Sequence, residues 1–181
     1  AIIVTNLETG AFERKFVDPV FGTNSIVFTP DGKRVVTGQA IPGDDDYSDG
    51  RVSNLDLKKL SMVIWDFASG KAIHQITDVA VDETRSDSLN TVLITPDSTR
   101  IYASTGAGSD ILIYDLESGT RLGELSLEKN GRATQIAMTP DGKFLVAGTT
   151  GTNFMVWDLS KGKFGEVIYT SPSHSAAVTS V

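Results

Sequence analysis

Apolar and polar residues fall along this chain in short runs, and turn residues punctuate the runs at regular intervals. One β-rich set comprises Arg34-Val-Val-Thr37, Arg100-Ile-Tyr-Ala103 and Lys143-Phe-Leu-Val-Ala147; a second comprises Met62-Val-Ile-Trp65, Ile111-Leu-Ile-Tyr114 and Phe154-Met-Val-Trp157. Their shortness and their β-branched and aromatic content predict strands. No stretch keeps a helical period beyond about two turns. Without helices to act as crossovers a parallel sheet has no wiring, so the pattern predicts an all-β chain.

The punctuation repeats. Asn6-Leu-Glu-Thr-Gly10, Asp66-Phe-Ala-Ser-Gly70, Asp115-Leu-Glu-Ser-Gly119 and Asp158-Leu-Ser-Lys-Gly162 share an acid or amide, an apolar residue, two variable positions and a glycine, at separations of 60, 49 and 43 residues. In phase with them run Phe28-Thr-Pro-Asp-Gly32, Ile94-Thr-Pro-Asp-Ser98 and Met138-Thr-Pro-Asp-Gly142. Both signatures are turns: Pro presets φ, Asp bonds its own backbone and Gly accepts the left-handed region. Each repeat then contains a strand ending at Thr-Pro-Asp, a second strand, a third ending in an aromatic residue plus Asp, and a fourth after the glycine, such as Lys71 to Ile76. Such four-stranded meanders bury both faces when arrayed radially. The expected fold is an all-β propeller of four-stranded antiparallel blades.

Trp65-Asp66 and Trp157-Asp158 at the close of the third strand, with Tyr114-Asp115 as a weaker copy, resemble the WD-repeat β-propellers over nearly the whole chain. The resemblance implies a buried hydrogen-bond network joining a His, a second-strand Ser or Thr, a turn Asp and the Trp. Here it would draw on His174, on Thr37, Ser104 and Thr149, on Asp110 with Asn153 in the corresponding place of the next repeat, and on Trp65, Tyr114 and Trp157. No complete repeat has the His, which marks a degenerate set of repeats. The resemblance also implies a noncatalytic protein-interaction platform. The competing reading is a portion of a propeller enzyme or ligand sensor whose active groups lie on blades absent from this chain.

The expected division of residues 1–181 is a partial blade over 1–16, a blade over 17–76 with an insertion at 40–60, blades over 77–125 and 126–170, and the start of another at 171–181. That is roughly three and three-quarter blades, with an inner strand expected near Ala177 to Val181. Joining the ends would leave a sheet without its second strand, so the expectation is a segment of a longer propeller, or self-association of open blade ends.

From Pro to the aromatic residue the three repeats need 35, 18 and 17 residues, which places about 17 added residues between the second and third strands of the first. A shorter insertion of about six lies near Thr77 to Leu89. Residues 43–51 carry four acids and one Arg, and so do 78–87. Together they hold six of the seven net negative charges of the 181 residues. In an up-and-down blade both insertions emerge on one face. Asp44, Asp45, Asp46, Tyr47 and Asp49 with Asp82, Glu83 and Asp87 are therefore the candidate contact residues for a protein partner with a basic surface. Solvation alone accounts for acidic loops as well. A calcium loop beginning at Asp45 would place Asp49, Gly50 and Asp56 suitably, but Tyr47 occupies the third position.

Other chemistry is constrained. Forty per cent hydrophobic and 22% charged residues describe a folded chain; no window of about 18 apolar residues suits a membrane span, and the first residues lack a signal-peptide layout. Cysteine is absent and the histidines number two, His74 and His174, so no Cys-based or multi-histidine metal centre is expected, and no cofactor. A net charge of −7 argues against nucleic acid as a partner. Asn24, Asn90 and Thr134 lie six residues before each marker proline and could point toward a central tunnel, where ordered water is the expected occupant. Gly106-Ala-Gly-Ser109 precedes a strand rather than a helix and so does not suit a phosphate.

Overall fold

The computed structural model describes residues 2–16, 23–39, 62–77, 89–106, 108, 110–172 and 174–181. Every regular element among them is a β-strand. In chain order these are β1 (Ile2–Thr5), β2 (Phe12–Phe16), β3 (Thr23–Phe28), β4 (Arg34–Gln39), β5 (Met62–Asp66), β6 (Ala72–Ile76) and β7 (Leu89–Ile94). There follow β8 (Arg100–Thr105), β9 (Asp110–Asp115), β10 (Arg121–Ser126), β11 (Ala133–Met138), β12 (Phe144–Thr149), β13 (Phe154–Asp158) and β14 (Glu166–Thr170). They pair antiparallel as one two-stranded sheet, β1-β2, and three meanders, β3-β4-β5-β6, β7-β8-β9-β10 and β11-β12-β13-β14. The second strands run two residues past the expected Thr37, Ala103 and Ala147, and β6 starts at Ala72 rather than Lys71.

The three meanders superimpose in register: Val35 faces Trp65, Ile101 faces Tyr114 and Leu145 faces Trp157. Each inner strand carries a bulge at the same place, between Thr23 and Ser25, Leu89 and Thr91, and Ala133 and Gln135. The extra residue of each bulge is Asn24, Asn90 or Thr134, so these three are equivalent by backbone geometry as well as by spacing.

Successive sheets bury both faces of their central strands, which is why β5 and β9 read as continuous apolar runs and why β8 is buried from Ile101 to Thr105. Phe16 joins Val35, Val63 and Trp65 between the two-stranded sheet and the first meander. Val36, Met62 and Ile64 of the first meander meet Leu89, Val92, Ile101, Leu112 and Tyr114 of the second. Tyr102, Ile111, Ile113 and Leu125 of the second meet Ile136, Leu145, Met155 and Trp157 of the third. Alternate residues of a strand thus serve opposite interfaces, the stacking expected of propeller blades.

Residues 177–181, expected as an inner strand, form no ladder. Among the described residues no second strand of a further sheet pairs with them. They lie instead along the third meander: the Val178 N–H donates to Thr149 O at 3.2 Å and the Val181 N–H to Gln135 Oε1 at 3.2 Å.

Candidate functional site

Each sheet has two unlike ends. At one end sit the tight turns, both signatures together, since the Phe67 N–H donates to Lys33 O at 2.8 Å and the Leu116 N–H to Thr99 O at 2.9 Å. In the Thr-Pro-Asp turns the Thr29, Thr95 and Thr139 hydroxyls donate to Asp31, Asp97 and Asp141 at 2.6, 2.5 and 2.6 Å. Each threonine oxygen also accepts the backbone N–H five residues on, at 3.0 Å. In the glycine turns Asp66 accepts the Ser69 hydroxyl at 2.5 Å and amide at 2.7 Å, Asp115 accepts both from Ser118 at 2.8 Å, and Asp158 accepts both from Ser160. These are Asx turns, in which the carboxylate mimics a backbone carbonyl. All six carboxyls are held below their ordinary range. The threonine hydroxyls are the main cause for Asp31, Asp97 and Asp141; the Ser69 and Ser160 hydroxyls are the main cause for Asp66 and Asp158, and the Ser118 amide for Asp115. The six turn carboxylates of this end therefore stay ionised while bonded into their own turns.

The same end carries a set of latches between neighbouring sheets that the sequence signatures did not reveal. Arg14 on β2 donates to Phe67 O and Ala68 O of the next sheet, both at 2.5 Å, with its guanidinium over the Phe67 ring. His74, register-equivalent on β6, places Nε2 2.8 Å from Glu117 O. At the third equivalent position, Gly123, the ring of Phe164 occupies the space a side chain would need. Arg34 adds a bond to Leu116 O at 3.3 Å and an ion pair to Glu117 at 2.5 Å.

The opposite end is where the segments 40–61 and 78–88 leave and rejoin the sheets, bounded by Gln39, Met62, Ile76 and Leu89. Gln39 pairs with Thr23, Met62 with Gly38 and Ile76, and Leu89 with Thr105, so all four strand termini lie at the end away from the tight turns. Asp44, Asp45, Asp46, Tyr47, Asp49, Asp82, Glu83 and Asp87 lie outside the described residues, as does the calcium loop considered above.

The residues of the implied hydrogen-bond network are brought together only in part. The Trp65 indole N–H donates to the Thr37 hydroxyl at 3.0 Å, with both side chains buried. Ser104 and Thr149, however, are not register mates of Thr37; Ala103 and Ala147 are. Trp157 and Tyr114 therefore have no hydroxyl at that place. Ser104 falls at the register of Gly38, and its buried hydroxyl has no partner among the described residues. Thr149 donates instead to Asn153 Oδ1 at 2.6 Å, and Asn153 Nδ2 donates to Asn130 Oδ1 at 2.5 Å. Asp110 opens β9 opposite Ser126. His174 is exposed; its ring stacks on Phe154 at 6.3 Å, and its backbone N–H donates to Thr152 O at 2.6 Å. Of the presumed tunnel residues, Asn90 donates to Ala133 O of the next inner strand at 3.1 Å, and Thr134 donates to Gly148 O at 3.0 Å and to Val178 O.

Comparison with known proteins fits this geometry. No profile of a known protein family matches the chain. Autophagy-related protein 16 of Arabidopsis thaliana is 27% identical over 121 residues, which are 67% of this chain and 22% of that protein. Among solved structures, that of U3-55K and that of the RRP9 WD40 repeats each superimpose with a TM-score of 0.68 at 16% identity over 91% of this chain. The chain spans 43% and 42% of those two proteins, less than half of their length.

Proposed function

We propose that this chain, whose fold is that of the WD40-type propellers, works as a noncatalytic protein-interaction platform. Its contact surface is the sheet end that carries the acidic segments around Asp44–Asp49 and Asp82–Asp87, and its partner is a protein with a basic surface. The observation that supports this reading is the division of charge between the two ends. The six turn aspartates are each bonded into their own turns, and Asp31, Asp141 and Asp158 also pair with Lys33, Lys143 and Lys161. Within the segments departing from the other end, residues 43–51 and 78–87 hold six of the seven net negative charges. A field of one sign on one face accelerates encounter with an oppositely charged protein and filters against like-charged ones.

The test uses a lysine-rich peptide as the basic probe, with binding measured by fluorescence anisotropy at low and at physiological salt. Replacing Asp44, Asp45 and Asp46 together by Asn is expected to weaken binding roughly tenfold at low salt and to flatten its salt dependence. Replacing Glu8, Glu124 and Glu166 by Gln removes the same charge elsewhere and is expected to change little. Equal effects from both triple variants would refute the assignment of this surface, leaving net charge alone as the cause.

A further inference from the structure

Two junctions join the three meanders, and their tight-turn ends differ in one charge. Arg34 and Arg100 are register mates: each opens the second strand of its sheet, opposite the aspartate of its own glycine turn, Asp66 or Asp115. In the first junction Arg34 reaches forward to the next glycine turn, where it donates to Leu116 O at 3.3 Å and pairs with the Glu117 carboxylate at 2.5 Å. In the second junction the corresponding turn runs Asp158-Leu159-Ser160, so serine stands in the place of Glu117. Its hydroxyl donates to Asp158 at 2.6 Å, inside its own turn. Among the described residues no carboxylate forms an ion pair with Arg100.

At Arg100 lies a cleft of about 250 Å³, lined by Asp97, Thr99, Arg100 and Tyr102 of the second meander and by Asp141 and Leu159 of the third. Tyr102 is a further difference, because its register mate in the first meander is Val36. A buried phenol thereby enters the wall of the cleft. Burial pushes its pKa up, and the Arg100 guanidinium, hydrogen-bonded to the hydroxyl, opposes that rise. A phenol oxygen that accepts from arginine keeps its own proton to donate. Arg100 and Tyr102 thus present donors to one space, and an ionised acceptor makes the strongest bonds with them.

The two carboxylates at the rim are engaged elsewhere. Asp97 accepts the Thr95 and Thr99 hydroxyls and the Thr99 N–H. Asp141 accepts the Thr139 hydroxyl and the Lys143 N–H and pairs with Lys143 Nζ at 3.6 Å. Nor do they forbid a third carboxylate. The first junction has their counterparts in the repeat, Asp31 and Asp97, of which Asp31 likewise pairs with a lysine, Lys33, at 3.7 Å, and it seats Glu117 on Arg34 all the same.

We propose that this cleft is a binding site for a glutamate side chain of an acidic peptide, whose carboxylate takes on Arg100 the place that Glu117 takes on Arg34 and accepts a second bond from the Tyr102 hydroxyl. The site lies at the end of the sheets away from the acidic segments and stands independently of the surface proposed above.

The experiment follows the backbone amide signals of Thr99, Arg100 and Leu159 by NMR of the 181-residue chain at low salt. The probe is acetyl-Gly-Glu-Gly-amide added to about 20 mM, with its glutamine counterpart as control; a dissociation constant of about 1–10 mM is expected for one ion pair and one hydrogen bond. Arg100→Gln should raise that constant about tenfold or more, and Tyr102→Phe about fivefold. Ser160→Glu supplies the carboxylate from within the chain and should also raise it about tenfold or more, whereas Ser160→Gln, which loses the same hydroxyl, should leave it within about twofold. No saturable shift of these signals, equal shifts from the glutamine peptide, or binding that survives Ser160→Glu would each overturn the proposal. Should Arg100→Gln disturb the fold, the two Ser160 variants decide the matter, since that residue is exposed in a turn.

Discussion

A Cβ placed on Gly38 would lie 2.8 Å from Leu89 Cβ, 3.1 Å from Leu89 Cδ1 and 3.3 Å from Val92 Cγ2. Gly38 is buried in β4, against the inner strand of the next meander, so Gly38→Ala must push β7 away from the first sheet. Overpacking of this kind costs about 2 kcal/mol. Leu89→Ala, which empties part of a fully buried site, costs about 3 kcal/mol. The double variant should cost about 4 kcal/mol rather than the additive 5, because a truncated residue 89 lets β7 withdraw slightly and accommodate the new methyl group. The chain contains a precedent: at the equivalent place of the next junction, Ser104 stands in the register of Gly38 and Ala133 in that of Leu89. Urea unfolding followed by tryptophan fluorescence reads the result, with 2 kcal/mol moving the midpoint by about 1 M at a slope near 2 kcal/mol/M. A Gly38→Ala midpoint within about 0.2 M of the parent, or strict additivity in the double variant, would refute the argument that this contact sets the spacing of the sheets.

Three further outcomes follow from the hydrogen bonds. Thr37→Val keeps the shape of the side chain but strands the buried Trp65 indole N–H, and should lower stability by about 1–3 kcal/mol in the same unfolding assay. Ser104→Ala removes a buried hydroxyl without a described partner and should be neutral or stabilising by up to about 1 kcal/mol; a loss above that would mean the hydroxyl is satisfied. The six turn carboxyls have folded pKa values below their unfolded ones, so their contribution is complete above the unfolded value near 4 and is lost as the pH falls through the lower folded values. Urea midpoints should therefore fall between pH 4 and pH 2.5, and less steeply in a Thr29→Val, Thr95→Val, Thr139→Val variant; an unchanged midpoint across that range would count against the Asx-turn account.

The architecture was legible because its signals are local. Thr-Pro-Asp and Asp-x-x-x-Gly each close a turn with bonds spanning no more than five residues, and two turns per repeat fix where four strands begin and end. The second-strand hydroxyls were harder, because residue type is a poor guide when register decides. Thr37 lies seven residues beyond Pro30, and seven beyond Pro96 and Pro140 stand Ala103 and Ala147, so counting from the marker separates Thr37 from Ser104 and Thr149. The junctions were not legible at all. Arg14 meets residues 53 and 54 positions away and His74 one 43 positions away, and neither distance has any signature in a chain whose repeat lengths vary.

Arg14 and His74 both bond to main-chain carbonyls of the following turn. A carbonyl is supplied by whatever residue occupies the position, so Phe67, Ala68 and Glu117 serve alike, and the donor may be arginine or histidine. Gene duplication can therefore copy one repeat beside another with this bond already provided, since the carbonyl half of it needs no particular side chain. The subsequent drift of turn composition leaves the joint intact, and the tips of the turns stay free to diverge without loosening the array.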